Sequence, residues 1–459
     1  MIRGLTQNTI LLYNLVLLVG FVWFCIRYRG KELPLFIIIL FFGGMFSDLG
    51  GKSVFEAYKI LTLLWAMSLV VRKKSFWLIK QYSTLILSFS VFCLYFIGTS
   101  LYINGDNFTL VFAQLSKYII PFLLLFVMMY YARSRKYSKI LNKLFEHLII
   151  AQIIFTIAKL FIIQHPYEGL VGSITGVTGG GLGTTFPLLG LLWIALNTNM
   201  NLKRKDIWMI IGLLFIGFMT GKRAIWLLFP IFFLLLSIYV YRRNFGKKLI
   251  YVIVLFPAFV YLGLRLSPTL NPDNKIWGEF DMDYAWNYSV KYSTGKKSNE
   301  DNIENGIGRI GALTLVTDQL TNVDYFTKET LFGYGLKYIY AADLDNYMDS
   351  QYYFGINSRG SLTGVIMEYF AIGIFGVILH MIFLILIFHP IKNHRLRFVM
   401  CFLVLFDYIF YNSMIIREPG MMVLMFYLII YSNRIFIPVG VVDRKFIIMM
   451  KNQIGIRPK

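Results

Sequence analysis

Apolar residues along the chain come in long blocks, and short polar or basic clusters separate them. The blocks have the length, roughly 17–25 residues, that an α-helix needs to cross about 30 Å of hydrocarbon. They place spans at about residues 9–27, 33–47, 54–71, 82–102, 108–132, 143–163, 181–199, 207–220, 224–241, 249–265, 360–388, 398–413 and 420–438. A transmembrane barrel would show shorter segments alternating with a period of two, and no such alternation is present. The first block, from about Thr9 to Arg27, lacks a small-residue cleavage site and reads as a retained span. The pattern therefore predicts an all-α polytopic membrane protein with about 12–13 transmembrane helices and one large, mainly helical extracytoplasmic loop. It divides into a bundle of about ten helices over 1–265, a cap over 266–359, and C-terminal helices with a short cytoplasmic tail over 360–459.

Composition agrees with that pattern: 57% of the residues are hydrophobic and 15% are charged, against about 25% charged in soluble domains. The net charge of +21 is not a nucleic-acid footprint, because it forms no basic stripe and accompanies no nucleic-acid motif. Its clusters sit at span ends: RYRGK, RKK, RSRKYSK, KRK, RRNFGKK, KNHRLR and the C-terminal tail. Each follows an odd-numbered span, so one orientation puts all of them in the cytoplasm. The N-terminus and the 266–359 segment then lie outside. The stretch 267–359 holds 13 Asp and Glu against 8 Lys and Arg, more than half of the chain's 24 acids. At roughly 90 residues it far exceeds an ordinary connection. Its tyrosines and tryptophans favour a folded cap, in which IGALTLVTDQL reads as helix.

The stretch FMTGKRAIW (218–226) sets Lys222 and Arg223 between two apolar runs. Residues 207–241 are too long for one span, so they predict two spans joined by a tight TGKR turn, placed on the outer face by the parity of the basic clusters. Two readings remain open there. Lys222 and Arg223 bind an anion at a helix start, where free N–H groups and the helix dipole add to their charge, or they snorkel to lipid headgroups. Arg265, Arg309, Arg359 and Arg417 are further outward cations, and the planar guanidinium suits bidentate phosphate binding. Among the acids, Glu368 lies nine residues after Arg359. As an intramembrane carboxylate it is a candidate base, or a partner for a nearby arginine. Asp407, inside the twelfth span, is expected to hydrogen-bond to a neighbouring helix. Asp343, Asp345 and Asp349 lack the Gly and terminal Glu of a calcium loop and read as a solvated turn. His165 reads as a surface residue. Cys25, Cys93 and Cys401 lie in apolar runs without metal-ligand spacing and read as small buried hydrophobes.

Several local patterns fall in an order that resembles the O-antigen polymerase/O-antigen ligase superfamily. They are GSITGVTGGGLGTTFPLLG (172–190), a Gly-rich lead into a span; TGKRA (220–224); LFGYGLKY (331–338); and SRGSLTGVIMEYFAIGIFG (358–376), which ends in GxxG. The resemblance covers roughly residues 170–380. Ligases of this superfamily carry a His-Asn pair shortly before the GxxG; here INSRGSLTG offers Asn357 and Arg359 but no histidine, which favours a polymerase. The resemblance implies a Wzy-like, metal-independent glycosyltransferase without a cofactor at the bacterial inner membrane. It would move a growing glycan from a lipid-pyrophosphate carrier onto a lipid-linked repeat unit. Its partners would be those lipid-linked donor and acceptor oligosaccharides, membrane lipids and a chain-length regulator, with no nucleic acid. Arg223, Arg309, Arg359 and Glu368 would form the catalytic set, with Lys222, Arg223 and Arg417 on the pyrophosphate. A polysaccharide ligase, or a non-enzymatic transporter of lipid-linked oligosaccharides, is the alternative. A transporter would line the membrane midplane with charge and show paired halves, whereas this chain carries its charge at the outer rim.

Overall fold

A computed structural model of the chain describes residues 32–44, 52–71, 76–131, 135–163, 169–174, 181–222, 224–241, 257–258, 260–267, 270–275, 277–294, 309–322, 327–340, 362–411 and 413–435. Every regular element among them is helical. In chain order these are α1 (Glu32–Phe41), α2 (Lys52–Val71), α3 (Phe76–Gln81), α4 (Ser83–Gly98, running into a π-helical turn over Thr99–Ile103), α5 (Phe108–Tyr131), α6 (Arg135–Ile163), α7 (Leu182–Thr198), α8 (Arg204–Met219) and α9 (Ala224–Leu234, with a π-helical turn over Leu235–Val240). The cap contributes α10 (Met282–Thr294), α11 (Arg309–Asn322), α12 (Lys328–Phe332) and α13 (Lys337–Tyr340). The chain then returns through α14 (Gly364–Ile387), α15 (His394–Phe410), α16 (Met414–Arg417) and α17 (Pro419–Ile435).

Among the described residues, four helical segments are long and apolar enough to cross a membrane: Ser83–Ile103, Phe108–Tyr131, Tyr137–Ile162 and Gly364–Ile387. Shorter apolar helical segments occur in α1, α2 (Lys59–Val71), α7, α9 with its π-helical turn, and α17. Large apolar side chains such as Leu87, Leu94, Phe161 and Ile162 point outward and are exposed, as a lipid-facing rim requires. The centre is α7, in which every residue from Leu182 to Leu196 is buried. A helix apolar on all sides belongs inside a bundle, and α8, α9, α16 and α17 surround it.

Helix ends follow local chemistry. Asn393 caps α15 by accepting from the N–H groups of Arg395 and Leu396 at 3.0 and 3.2 Å, and Asp206 reaches back to the Lys203 N–H at 2.8 Å to close α8. α7 stops at Asn199, which takes a left-handed conformation. Thr220 ends α8, and Gly221 turns the chain toward α9 with φ +65°, so the predicted TGKR turn is present as far as Lys222. The cap sequence IGALTLVTDQL is helical, as α11.

Two features differ from the expected spans. The span foreseen at 360–388 begins as helix only at Gly364, and it is broken at Gly373, whose φ of 71° and ψ of −176° are non-helical. That region of backbone space is open essentially to glycine alone. The short helix α16 also stands between the last two spans, where a plain loop was expected.

The break in α14 strands the carbonyls of its preceding turn, which helix continuation would otherwise satisfy. Within a membrane an unsatisfied carbonyl costs several kcal/mol, so irregular backbone survives only where protein covers it. Here the cap covers it. Tyr334 and Gly335 donate their N–H groups to the Phe370 carbonyl at 2.7 and 3.2 Å. Asn104 Nδ2 donates to Phe332 and Ala371 at 3.1 and 3.4 Å. The Tyr95 hydroxyl lies 2.9 Å from the Ile372 carbonyl and 3.2 Å from that of Leu331. Asp106 then receives the N–H groups of Leu336 and Lys337 at 2.8 and 3.1 Å. Contact is so close that a Cβ on Gly373 would lie 2.3 Å from the Leu331 carbonyl oxygen, and one on Gly333 would lie 2.6 Å from the Gly373 nitrogen. The LFGYG and GxxG stretches are thus two halves of one joint.

Candidate functional site

At one end of the bundle, five separate parts of the sequence meet. The Gly-rich lead into α7 brings Gly181 against the ring of Tyr411, where a Cβ would come within 2.6 Å of the ring edge. Gly183, two residues on, faces Thr220 of the TGKR turn with no room for a side chain. Thr184 Oγ1 lies 3.3 Å from the Tyr411 hydroxyl. Arg309, the first residue of α11, sets its guanidinium over the Tyr411 ring, 4.6 Å from the centroid. The Tyr411 carbonyl in turn accepts from the Gly364 N–H at 2.7 Å, tying the start of α14 to the end of α15.

Asp407 lies one turn back from Tyr411 and is 1% exposed. Its Oδ2 accepts from the Ile415 N–H at 2.7 Å, so it does bond to a neighbouring helix, namely α16. Its Oδ1 is buried and has no hydrogen-bond partner among the described residues. The charges of Arg309 and Arg417 both act on this carboxylate. Through Ile415, Asp407 therefore fixes the short helix that carries Arg417.

Beside Arg417 opens a small cavity continuous with solvent. Its polar lining comprises Gln114, Lys117, Tyr118, Glu368, Ser413 and Arg417, and Leu336 of the cap closes one side. Lys117 donates to Gln114 Oε1 at 2.5 Å. Glu368 is 7% exposed and accepts three hydrogen bonds: from the Tyr118 hydroxyl to Oε1 at 2.8 Å, and from the Tyr408 hydroxyl and His380 Nδ1 to Oε2 at 2.6 and 2.8 Å. His380 is 3% exposed and its ring lies among those of Phe92, Tyr118, Phe383 and Tyr408. Two cations and one firmly held carboxylate thus share a cavity in an otherwise apolar bundle. That set can hold an anionic group and polarise a hydroxyl beside it.

The sequence reading and the structure part company at several residues. Glu368 stands one turn into α14, which starts at Gly364. Its partners are a histidine and two tyrosines rather than an arginine. Arg309, a candidate phosphate ligand, sets its guanidinium over the Tyr411 ring. Arg265 is a cap anchor, donating to Gly278 and Tyr261 and lying over Trp277. Arg223, Arg359, His165, Asp343, Asp345, Asp349 and Cys25 lie outside the described residues. Cys93 and Cys401 are half-buried free thiols, and no group of three or more His, Cys, Asp and Glu suited to a metal occurs among the described residues.

Sequence reasoning missed Lys117, Tyr118, His380, Tyr408 and Tyr411. One of them had left a signal: Lys117 is the lone charge in the apolar block 108–131, and an intramembrane charge marks a candidate site. Comparison with family models, with curated proteins and with solved structures finds no match to this chain.

Proposed function

We propose that the chain is a polysaccharide polymerase of the O-antigen or capsule type. On this reading it extends a glycan by transferring it from a lipid-pyrophosphate carrier to a lipid-linked repeat unit at the outer face of the bacterial inner membrane. One observation carries the proposal: the cavity that unites Lys117, Arg417 and Glu368 where the cap meets the bundle. Two of the four stretches on which the superfamily resemblance rests reach it: Leu336 of LFGYGLKY, and Gly364, Met367, Glu368 and Ala371 of SRGSLTGVIMEYFAIGIFG.

The chemistry fits a lipid pyrophosphate. An acceptor hydroxyl attacks the anomeric carbon of the donor sugar, the bond from that carbon to the phosphate oxygen breaks, and the electron pair leaves with the pyrophosphate. Fixed cations aimed at the leaving group stabilise its developing charge without reorganisation. Arg417 and Lys117 are placed for this role within the cavity. Arg223, next after Lys222 in the sequence, and Arg359, which precedes α14 in the sequence, are the further arginines assigned to it. Glu368 accepts the proton of the acceptor hydroxyl.

The test measures the length of the surface polysaccharide in cells carrying Arg417→Ala, Lys117→Met, Arg223→Ala or Arg223→Lys in place of the wild-type chain. Single repeat units are expected with Arg417→Ala and Arg223→Ala, and partial shortening with Arg223→Lys, because lysine lacks the bidentate fork. Unchanged long chains in all four, at normal protein levels, would refute the reading. A null strain separates polymerase from ligase: single capped units mark lost polymerisation, whereas long chains left on the carrier mark lost ligation.

A further inference from the structure

Glu368 has its two oxygens on two different sides. Oε1 meets Tyr118, which lines the cavity, whereas Oε2 meets His380 and Tyr408, which do not. Among the described residues Oε2 accepts two hydrogen bonds and Oε1 accepts one, so the carboxylate's remaining acceptor capacity lies on the cavity side. We infer that His380 is a positioning residue that clamps Oε2 from behind and so aims Oε1 at the acceptor hydroxyl. This inference rests on the transferase reading and gives it a further working part.

The geometry explains why a histidine stands there. Bonding to a carboxylate requires the donor, so the ring carries its proton on Nδ1, 2.8 Å from Oε2. The imidazole fixes the direction of the carboxylate from the side away from the cavity. The ring is itself held among Phe92, Tyr118, Phe383 and Tyr408, so its donor cannot swing away. His380 stands twelve residues from Glu368 on the far side of the Gly373 break. The break supports the pair, because it sets the relative direction of the two half-helices that bear it. During transfer the hydroxyl proton passes to Oε1, the acceptor's hydroxyl oxygen bonds to the anomeric carbon, and the bond from that carbon to the phosphate oxygen breaks, its electron pair leaving with the pyrophosphate. His380 keeps its own proton throughout.

The experiment uses the full chain in proteoliposomes, supplied with lipid-linked repeat units extracted from the producing cells, and compares His380→Asn with His380→Gln. Asn places its amide donor near the position of Nδ1, and Gln places it near Nε2. The inference expects Asn to keep activity within about threefold and Gln to lose roughly tenfold or more in kcat with KM unchanged, since the ground-state contacts of substrate are intact. It also expects no further loss when His380→Gln is added to Glu368→Gln, because His380 acts only through that carboxylate. Equal activity of the Asn and Gln variants, or additive losses in the double variant, would overturn the inference while leaving the polymerase reading standing. Failure of the wild-type chain to extend these units would instead overturn the polymerase reading.

Discussion

Two regions of α14 lie within five residues of each other and are built on opposite principles. At Gly373 the backbone itself is the device: it bends where only glycine can, and the cap's own N–H groups cover the exposed carbonyls. At Glu368 the backbone is ordinary helix and the device is a set of side chains drawn from three helices. Backbone devices leave a trace in a single sequence, because glycine is demanded at fixed places. Side-chain networks leave almost none, since residues 118, 368, 380 and 408 are neighbours only once the chain has folded.

The comparison can be broken first at the glycine. Gly373→Val would force a β-branched side chain into a region of backbone space closed to it and against the Leu331 carbonyl. The expected loss is several kcal/mol, enough to abolish a folded product in a marginally stable protein. Thermal unfolding in detergent checks this, and a near-normal melting temperature would show that the break is dispensable. Gly333→Ala, at φ +84° and 2.6 Å from the Gly373 nitrogen, is expected to follow with a loss of about 2–4 kcal/mol.

A smaller effect should come from the hydrogen bonds that line the joint. Asn104→Ala leaves the Phe332 and Ala371 carbonyls without their side-chain donor, and about 1–3 kcal/mol is expected from the unsatisfied groups. Measured as a shift in unfolding midpoint, it should affect stability while sparing the ratio of long to short product at permissive temperature. The smallest change belongs to Arg309→Gln. It removes the contact with the Tyr411 ring, about 0.5–2 kcal/mol, and loosens the docking of α11. Limited proteolysis of the cap would register it, and a cap as protected as in the wild type would count against the anchoring role.

What could be read beforehand divides along the same line. Span positions were legible because lipid imposes a length and an apolar composition on every crossing, and α5 and α7, together with α4 and α9 counted with their π-helical turns, fall within two residues of the expected ends. The TGKR turn was legible from length alone, since no single span fits 207–241. The docking of LFGYG onto α14 was not, because the glycines mark two special backbones but do not say that they face each other. Lys117 was visible as a stray charge and was passed over. His380 looked like one more residue of an apolar run, and nothing in its neighbourhood of the sequence names Glu368 as its partner. Asp407 was placed correctly as a helix-to-helix contact, although its role in holding α16 beneath Arg417 depends on a turn that no periodicity announces.

The central claim is that the cavity around Glu368, Lys117 and Arg417 carries out glycan extension while the glycine joint only supports it. Its most direct test is the Glu368→Gln protein in proteoliposomes, followed by gel analysis of the product from lipid-linked repeat units and by thermal unfolding of the same sample. The account predicts a ladder of polymer from the wild type. It predicts single units from the variant, a loss of at least about 100-fold in rate, with the fold retained. A full ladder from a folded Glu368→Gln protein would contradict it.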